Sequence, residues 1–256
     1  MRIREHWPVA RSKQRRREFA AVFDGVAPGS LGDMLEVGSG DGFMASLLAP
    51  LGRSLITTEP TRGGASHATH LPRIRCSATA LPFDNASFDF IFSSSVLEHI
   101  ADRSAALAEL GRVLRPQGTM VHLMPSVTWK MLQLAFYYPH LLVSGLEAIG
   151  PSHQLEAPKP ETDHWHDAKK LTWFQEFRRG VFPQVHGEFR GHVRELIGFR
   201  ARTWSHAFET AGFTVQRQVR LPLYSGYGFG LERLRRIGEK VGMSAHNAFF
   251  VTKASA

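Results

Sequence analysis

The chain has 256 residues, of which 43% are hydrophobic and 21% charged, a balance typical of a globular protein and not of a disordered or fibrous chain. Its one cysteine, Cys76, excludes an internal disulfide framework. The formal net charge of +8 is concentrated at both ends, since residues 1–17 and 200–256 each sum to +6, and this favours an anionic partner such as a membrane surface, a phosphorylated lipid or RNA.

The first half of the chain alternates strand-like and helical patterns. Short apolar or β-branched runs predict strands, and apolar residues at helical spacing predict helices between them. The predicted strands are 33–38, 54–59, 73–77, 88–93 and 119–124, and the predicted helices are 43–49 and 105–114. This alternation predicts an α/β fold with a mostly parallel sheet and helices on both faces.

The alternation stops at residue 126 and resumes at residue 200, where a helix (200–212), a strand (213–219), a second helix (231–237) and a last strand (248–252) are predicted. The 74 residues between are too many for a simple connection, so we expect an α-rich lid or substrate insertion after the fifth strand. Four regions result: a basic N-terminal arm or helix (1–30), a core (31–125), the insertion (126–199) and a C-terminal segment that completes the sheet (200–256).

A glycine-rich turn follows the first strand, in the sequence Leu35-Glu-Val-Gly-Ser-Gly-Asp-Gly-Phe43. A dinucleotide-binding turn would place a third glycine at position 43, which is Phe43 here. Glu36 would repel a pyrophosphate but suits a cationic ligand. The turn therefore predicts a cofactor that carries positive charge and no phosphate.

The pattern Glu36-x-Gly38-x-Gly40-x-Gly42 resembles the first motif of class I S-adenosylmethionine (SAM)-dependent methyltransferases of the methyltransferase type 11-like group, here with an inserted lid. Later blocks follow in the family's order, at 80–89, 95–100 and 110–119. The resemblance implies a Rossmann-like sheet of seven strands, mostly parallel with an antiparallel C-terminal strand. It also implies SAM as the cofactor.

The resemblance assigns cofactor-binding roles by position. Glu59 ends the second strand, where the family's acid takes both ribose hydroxyls through charge-assisted hydrogen bonds. Ser77 stands where the family usually has an acid for the adenine amino group, and an uncharged acceptor is worth less. The implied cofactor-binding residues are Glu36, Gly38, Ser39, Gly40, Gly42, Glu59, Pro60, Ser77, Ala78 and Ser94.

Methyl transfer to a hydroxyl needs a general base, which we expect in the insertion. The candidates there are His153, Asp163, His164, His166, His186 and His192. His186 is our first choice because it precedes a glycine between aromatic residues, although an ordinary polar loop residue would look the same. Glu98 and His99 fit either a catalytic role or helix capping and packing.

No metal site is predicted. The stretch 163–167 offers only His164 and His166 at alternate positions, which is too few ligands for a metal site.

The predicted function is SAM-dependent O-methylation of a sugar, a lipid-linked glycan or another small metabolite. Amino-methylating enzymes of nucleic acids often carry an Asn/Asp-Pro-Pro-aromatic signature after the fourth strand, whereas this chain has Ser93-Ser-Ser-Val96. Aromatic and basic residues are also separated along the chain, which argues against nucleic acid as a partner. An RNA methyltransferase and a non-catalytic SAM-binding interaction protein stay open as alternatives.

The run 129–143 is unusually apolar, but Lys130, Pro139 and His140 interrupt it, so it is not predicted to span a membrane. It fits a buried lid helix or a helix lying on lipid. No secretory signal is visible among the basic first residues, so we expect a cytoplasmic protein, with peripheral contact to the cytoplasmic face of a membrane as an open alternative. The oligomeric state is not predicted.

Overall fold

The computed structural model describes residues 7–61, 65–149, 181–224, 227, 229 and 231–254, and these residues are built around a seven-stranded sheet. The strand order is β3-β2-β1-β4-β5-β7-β6. The strands are β1 (Asp33–Val37), β2 (Ser54–Thr58), β3 (Arg73–Ile74), β4 (Phe88–Ser94), β5 (Leu114–Pro125), β6 (Phe213–Arg220) and β7 (His246–Lys253). Only β7 runs antiparallel to its neighbours, which are β5 and β6, so the predicted sheet is confirmed.

Helices cover both faces of this sheet. They are α1 (Trp7–Phe23), α2 (Phe43–Leu48), α3 (Arg103–Val113), α4 (Val127–Ile149), α5 (His192–Gly198), α6 (Ala201–Thr210) and α7 (Glu232–Lys240). One buried cluster joins the sheet to α3 and α6 through Leu110 and Phe208, and the other joins it to α1 and α2 through Phe23 and Leu48. Because both faces are covered, β1 is a nearly continuous apolar run, buried from Met34 to Val37.

The third and fifth strands differ most from their predicted bounds. The third strand pairs only through Arg73 and Ile74, because its partner β2 ends at Thr58 and leaves nothing further to bond. The fifth strand begins at Leu114 instead of Thr119, and its register against β4 shifts between Phe88 and Phe90. Neither change moves the carboxyl ends of β1 and β4.

The segment predicted as a lid begins with α4, directly after β5, and returns to the sheet through α5. His153, Asp163, His164 and His166, and with them the stretch 163–167, lie outside the described residues. The assignment of this segment as a lid stays a prediction.

The strand order places a crevice at the carboxyl ends of β1 and β4. The chain leaves β1 toward β2 on one side, and β4 lies on the other side. In open α/β sheets a ligand binds at such a point of reversal. The glycine turn after β1 and the segment that follows β4 therefore form the two walls of the candidate site.

Candidate functional site

The glycine turn needs glycine at two of its positions, which face different neighbours. Gly38 has φ 69°, and a Cβ atom there would lie 2.5 Å from a methyl group of Val96. Gly42 has φ 80° at the start of α2, and a Cβ atom there would lie 2.3 Å from the carbonyl oxygen of His67. Both positions combine a left-handed backbone with close approach, so the turn is held against the segment after β4 at Gly38 and against the loop after β2 at Gly42.

Glu36 lies beneath this turn and is 2% exposed. Its Oε2 has no hydrogen-bond partner among the residues described. Burial raises the pKa of its carboxyl group to about 8, although the nearby Arg15 works in the opposite direction. A buried, incompletely paired carboxylate of this kind suits a ligand that brings a positive charge.

Glu59 faces the glycine turn from the end of β2. Its Oε2 accepts a hydrogen bond of 2.9 Å from the Gly40 N–H, and its Oε1 accepts one of 3.0 Å from the Thr61 hydroxyl. The Ser39 hydroxyl accepts a bond of 3.1 Å from Arg73. The carboxylate that the resemblance assigns to the ribose thus also fixes the backbone of the turn.

The remaining positions assigned to the cofactor lie farther along the same edge. Pro60 follows Glu59, and its carbonyl oxygen accepts a bond of 3.1 Å from Arg75. Ser77 is exposed, with its Oγ 2.8 Å from the Thr79 hydroxyl, and Ala78 is half-buried. The adenine and ribose contacts stay predictions.

Arg15 is a site residue that the sequence reasoning missed. Its Nη1 donates a hydrogen bond of 2.6 Å to the Ser94 hydroxyl at the end of β4, and it lies 3.3 Å from the buried Glu18. Burial alone would raise the pKa of Glu18, but His246, 2.9 Å away, and Arg15 together lower it to about 2. The basic run in the N-terminal helix was visible in the sequence, but its pattern did not show which arginine turns inward.

A cluster of three ionisable side chains forms the other wall of the crevice. Leu97–His99 forms a single helical turn after β4, and it brings Glu98 and His99 to face His186 from the distant loop. The Nε2 atoms of His99 and His186 are 3.1 Å apart, and Glu98 Oε1 lies 3.6 Å from His186 Nε2. Burial alone would raise the pKa of Glu98, but His186 and His99 hold it below its usual value.

The loop that carries His186 is docked on the backbone of Glu98. The Glu188 N–H donates a bond of 3.0 Å to the Glu98 carbonyl oxygen. Gly187 has φ 72°, and a Cβ atom there would lie 2.5 Å from the same oxygen. The His186 N–H donates a bond of 3.2 Å to Glu195 Oε1. These contacts fix the backbone on both sides of the imidazole.

Glu98 and His99 do not cap the helix that follows them, and His192 lies apart from them. Helix capping is the work of Asp102, whose Oδ1 accepts a bond of 2.9 Å from the Ala105 N–H at the start of α3. Glu98 and His99 instead lie in the crevice. His192 lies 3.5 Å from Glu195 Oε2, among the residues that hold the loop, and not beside Glu98.

The sequence predicted no metal site, yet within the described part of the chain three groups able to bind a metal lie together. One ligand atom from each of Glu98, His99 and His186 falls within 4.8 Å of the others. His186 could not have been linked to the other two by spacing, because it arrives from 87 residues beyond His99.

A cavity of about 170 Å³ also lies beside the glycine turn, lined by Gly42, Thr57 and Arg73 among others. None of Glu36, Ser94 and His186 lines it. We place the candidate site at the crevice, because the groups that can bind charge or move protons converge there.

Over the part of the chain that the structure describes, no helix has the length and apolar character needed to cross a membrane.

Part of the chain is similar in sequence to known methyltransferases. Residues 35–122 match the family model described as "Methyltransferase domain". An uncharacterized methyltransferase of Mycolicibacterium gilvum is 38% identical over 94 residues, which cover 34% of this chain and 37% of that protein. A probable S-adenosylmethionine-dependent methyltransferase of Mycobacterium tuberculosis is 30% identical over 110 residues, which cover 41% and 40%. The chain thus spans about two fifths of the length of these curated relatives.

Solved structures share the fold over most of the chain. A SAM-dependent methyltransferase of Thermotoga maritima, described as a possible histamine N-methyltransferase, has a TM-score of 0.54 at 17% identity, with 96% of this chain and 93% of that one covered. The 1,6-didemethyltoxoflavin-N1-methyltransferase of Burkholderia thailandensis, solved with S-adenosylhomocysteine, has a TM-score of 0.51 at 13% identity, covering 97% and 81%. Residues 35–122 are thus similar to a methyltransferase domain, and the solved structures show that this chain shares the fold of SAM-dependent methyltransferases.

Proposed function

We propose that the protein transfers the methyl group of SAM to a hydroxyl oxygen of a small acceptor, namely a sugar, a lipid-linked glycan or another metabolite. The observation that carries this proposal is the contact between Glu98 and His186 beside the glycine turn. Val96, which packs on Gly38, lies only two residues before Glu98, and this closeness supports a common crevice for the base and the cofactor turn.

The chemistry asks little of the protein beyond alignment and a proton acceptor. The acceptor oxygen attacks the methyl carbon, the C–O bond forms as the C–S bond breaks, and sulfur keeps the electron pair and leaves as a neutral thioether. The hydroxyl proton passes to the imidazole of His186. The Glu98 carboxylate stabilises the imidazolium that results, as an orienting acid does beside other catalytic histidines.

The wall around His186 supports a site that excludes water. Trp129 is 8% exposed, and its ring centroid lies 5.0 Å from that of His186. Phe199, fully buried, lies 6.2 Å from the same imidazole. Apolar rings at this distance keep water from competing with the acceptor.

An exposed apolar face on α7 supports an acceptor at a membrane surface. Leu234, Ile237 and Val241 are 63%, 58% and 73% exposed and lie on one side of this helix and its extension. The exposed Arg233 and Arg236 flank them. An apolar stripe bordered by arginines is suited to lie on an anionic bilayer, where a lipid-linked glycan would be found.

A labelled transfer assay tests the proposal. The protein, SAM with a radioactive methyl group and a fractionated native extract are combined, and label is counted in lipid, polysaccharide, small-molecule and RNA fractions. We expect label in one of the first three and none with the His186→Gln variant, whose cofactor binding is checked by calorimetry with S-adenosylhomocysteine. Label in RNA would overturn the acceptor class. Absence of label from every fraction, with intact cofactor binding, would favour the non-catalytic alternative.

A further inference from the structure

We propose that Glu98, His99 and His186 bind a divalent transition-metal cation, of the series from Mn²⁺ to Zn²⁺, at the acceptor side of the crevice. The inference rests on the proposed function for its purpose, but the site itself is argued from the geometry of these three side chains.

The spacing of the two imidazoles fits two ligands on one ion. Their Nε2 atoms are 3.1 Å apart. Ligands about 2.1 Å from a common ion are separated by roughly 3.0 Å at adjacent octahedral positions and by roughly 3.4 Å at tetrahedral positions. The observed separation lies between these values. The same two atoms form a hydrogen bond whose donor depends on the tautomer, so an ion would have to replace the shared proton to contact both nitrogen atoms.

Glu98 supplies the third ligand and the reason for a cation. The residue is fully buried, and neither of its carboxylate oxygens has a hydrogen-bond partner within the described residues. Its Oε1 is 3.6 Å from His186 Nε2, a distance at which charges attract but no hydrogen bond forms. A buried carboxylate left in this state needs a positive charge close by. The guanidinium of Arg103, which interacts electrostatically with Glu98, and an imidazolium at His186 or His99 are the rival sources of that charge.

The surroundings hold the backbone of two of the three ligands. The Glu188 N–H binds the Glu98 carbonyl, and Glu195 Oε1 binds the His186 N–H, so both backbones are fixed from outside the cluster. These contacts limit the movement of the two residues but do not bind the ligating atoms themselves.

The donor set selects the class of ion. Two imidazole nitrogens and one carboxylate suit Mn²⁺, Fe²⁺, Co²⁺ or Zn²⁺, whereas Mg²⁺ and Ca²⁺ prefer oxygen ligands throughout. Three protein ligands also leave coordination positions open for water or a hydroxyl, as in catalytic metal sites.

A cation at this position would change how the acceptor is activated. It would polarise the acceptor hydroxyl and ease loss of the proton, which would leave to solvent water because the Nε2 lone pair of His186 would be occupied. The bonds made and broken at the methyl group stay the same. His186 would then hold the cation and would not itself take the proton.

Calorimetry on the full chain, stripped with a chelator, tests the site directly. Mn²⁺ and Zn²⁺ are titrated separately, with Mg²⁺ as the comparison ion. We expect one Mn²⁺ or Zn²⁺ per chain, much weaker binding of Mg²⁺, and at least tenfold weaker binding of the favoured ion in each of Glu98→Gln, His99→Gln and His186→Gln. His206→Gln removes an exposed histidine on α6 and serves as the matched control, with binding unchanged. Calorimetry with S-adenosylhomocysteine shows that each variant is folded.

The outcomes separate this inference from the proposed function. Absence of one-to-one binding by both ions, or equal binding in the three ligand variants, would overturn the metal site. Methyl transfer that survives in the stripped protein but is lost in His186→Gln would also overturn its role and leave His186 as the base. One-to-one binding that the ligand variants abolish supports the site, even if the labelled extract shows no methylated hydroxyl compound and the proposed function fails.

Discussion

Lys130 of α4 and Glu195 of α5 form an ion pair of 2.8 Å in which neither side chain is exposed to solvent. The pair anchors the loop that carries His186, because Lys130 Nζ donates a bond of 2.9 Å to the Gln184 carbonyl and Glu195 accepts one from the His186 N–H. The position of the candidate base therefore depends on two buried residues outside the cluster of Glu98, His99 and His186.

Removing one partner of this pair should be far more costly than removing both charges. Lys130→Met leaves the Glu195 carboxylate buried without its counter-charge, and the free energy of unfolding should fall by about 3–5 kcal/mol. Lys130→Met combined with Glu195→Gln should recover most of that loss, because no isolated charge is left. Urea denaturation measures both. A single variant as stable as the wild type would contradict the reading of the pair as an anchor.

Gly187→Ala should disable the site without unfolding the protein. The new Cβ would lie 2.5 Å from the Glu98 carbonyl oxygen, so the loop must move away and carry His186 with it. We expect methyl transfer to fall at least tenfold while affinity for S-adenosylhomocysteine stays within about twofold, since a 1.4 kcal/mol loss of alignment is a tenfold loss of rate.

Gly212→Ala is the matched control for that change. Gly212 has φ 85°, similar to the 72° of Gly187, but nothing lies within 4 Å of its missing Cβ. Gly212→Ala should therefore lower the free energy of unfolding by about 1–2 kcal/mol through backbone strain alone, without displacing a loop. Equal losses of activity in the two variants would show that strain, and not the contact with Glu98, is responsible.

The pKa of about 8 at Glu36 predicts how stability depends on pH. Its carboxyl group is easier to ionise in the unfolded chain, with a pKa near 4.5, so its contribution favours folding below pH 4.5 and is lost as pH rises to 8. At pH 7 the loss is on the order of 3 kcal/mol. The Glu36→Gln variant should be more stable than the wild type at pH 7, with a difference that shrinks toward pH 4.5, as thermal denaturation would show. Parallel stability curves for the two proteins would sink this prediction.

Cofactor binding should counteract the effect of burial and ionise Glu36. A cationic group beside Glu36 favours the carboxylate, so S-adenosylhomocysteine should bind with release of a proton at pH 7. Calorimetry in buffers of different ionisation enthalpy measures that proton. The proton release should be lost in Glu36→Gln, and a wild-type heat that does not vary with buffer would contradict the assignment of Glu36 to the cofactor site.

Arg15 should recognise the carboxylate of the cofactor's amino-acid end. It reaches into the crevice at Ser94, on the side of Glu36, where a positive guanidinium can offset a second charge. Arg15→Met should weaken S-adenosylhomocysteine about tenfold or more, since a hydrogen bond to a charged group contributes about 1.5–3 kcal/mol. Binding of 5′-methylthioadenosine, which lacks that end, should not change.

Arg17→Met controls for the loss of a positive charge from the same helix. Arg17 pairs with Glu239 of α7 at 3.0 Å. Both ligands should bind this variant as they bind the wild type. If Arg15→Met weakens both ligands equally, the arginine supports the fold of the crevice and does not read the carboxylate.

The sequence was sufficient for the sheet and for one wall of the site, because both depend on local patterns. The Glu36 to Gly42 turn needs particular residues at fixed spacing, and the buried strands are apolar runs that stop at a turn. The other wall depends on contacts between distant segments. The ion pair between Lys130 of α4 and Glu195 of α5 helps to hold His186 near Glu98. Residue spacing along the chain does not predict that contact.

The sequence also does not show which arginine of the N-terminal helix enters the site. The N-terminal helix carries Arg11, Arg15, Arg16 and Arg17, and no pattern in the sequence distinguishes them. Packing of α1 on the sheet turns Arg15 toward Ser94 and leaves Arg16 exposed. The charge of the segment was therefore predictable, whereas the single arginine that enters the site was not.

The exposed face of α7 should bind anionic membranes. The protein should sediment with vesicles of phosphatidylglycerol and not with vesicles of phosphatidylcholine. Arg233 and Arg236 border the apolar stripe, and each basic residue near an anionic surface contributes about 1 kcal/mol to binding. Ile237→Glu should weaken sedimentation roughly tenfold or more, since burial of such a side chain in lipid contributes about 1.5–3 kcal/mol.

Val193→Glu is the matched control for this last prediction, because Val193 is 71% exposed but lies on α5 and not on α7. It should sediment like the wild type. Added salt should weaken the binding of wild type and control alike, because the arginines act through charge that ions screen. Equal sedimentation with both lipids, or equal losses in the two glutamate variants, would show that α7 is an ordinary surface helix and would remove the support it gives to a lipid-linked acceptor.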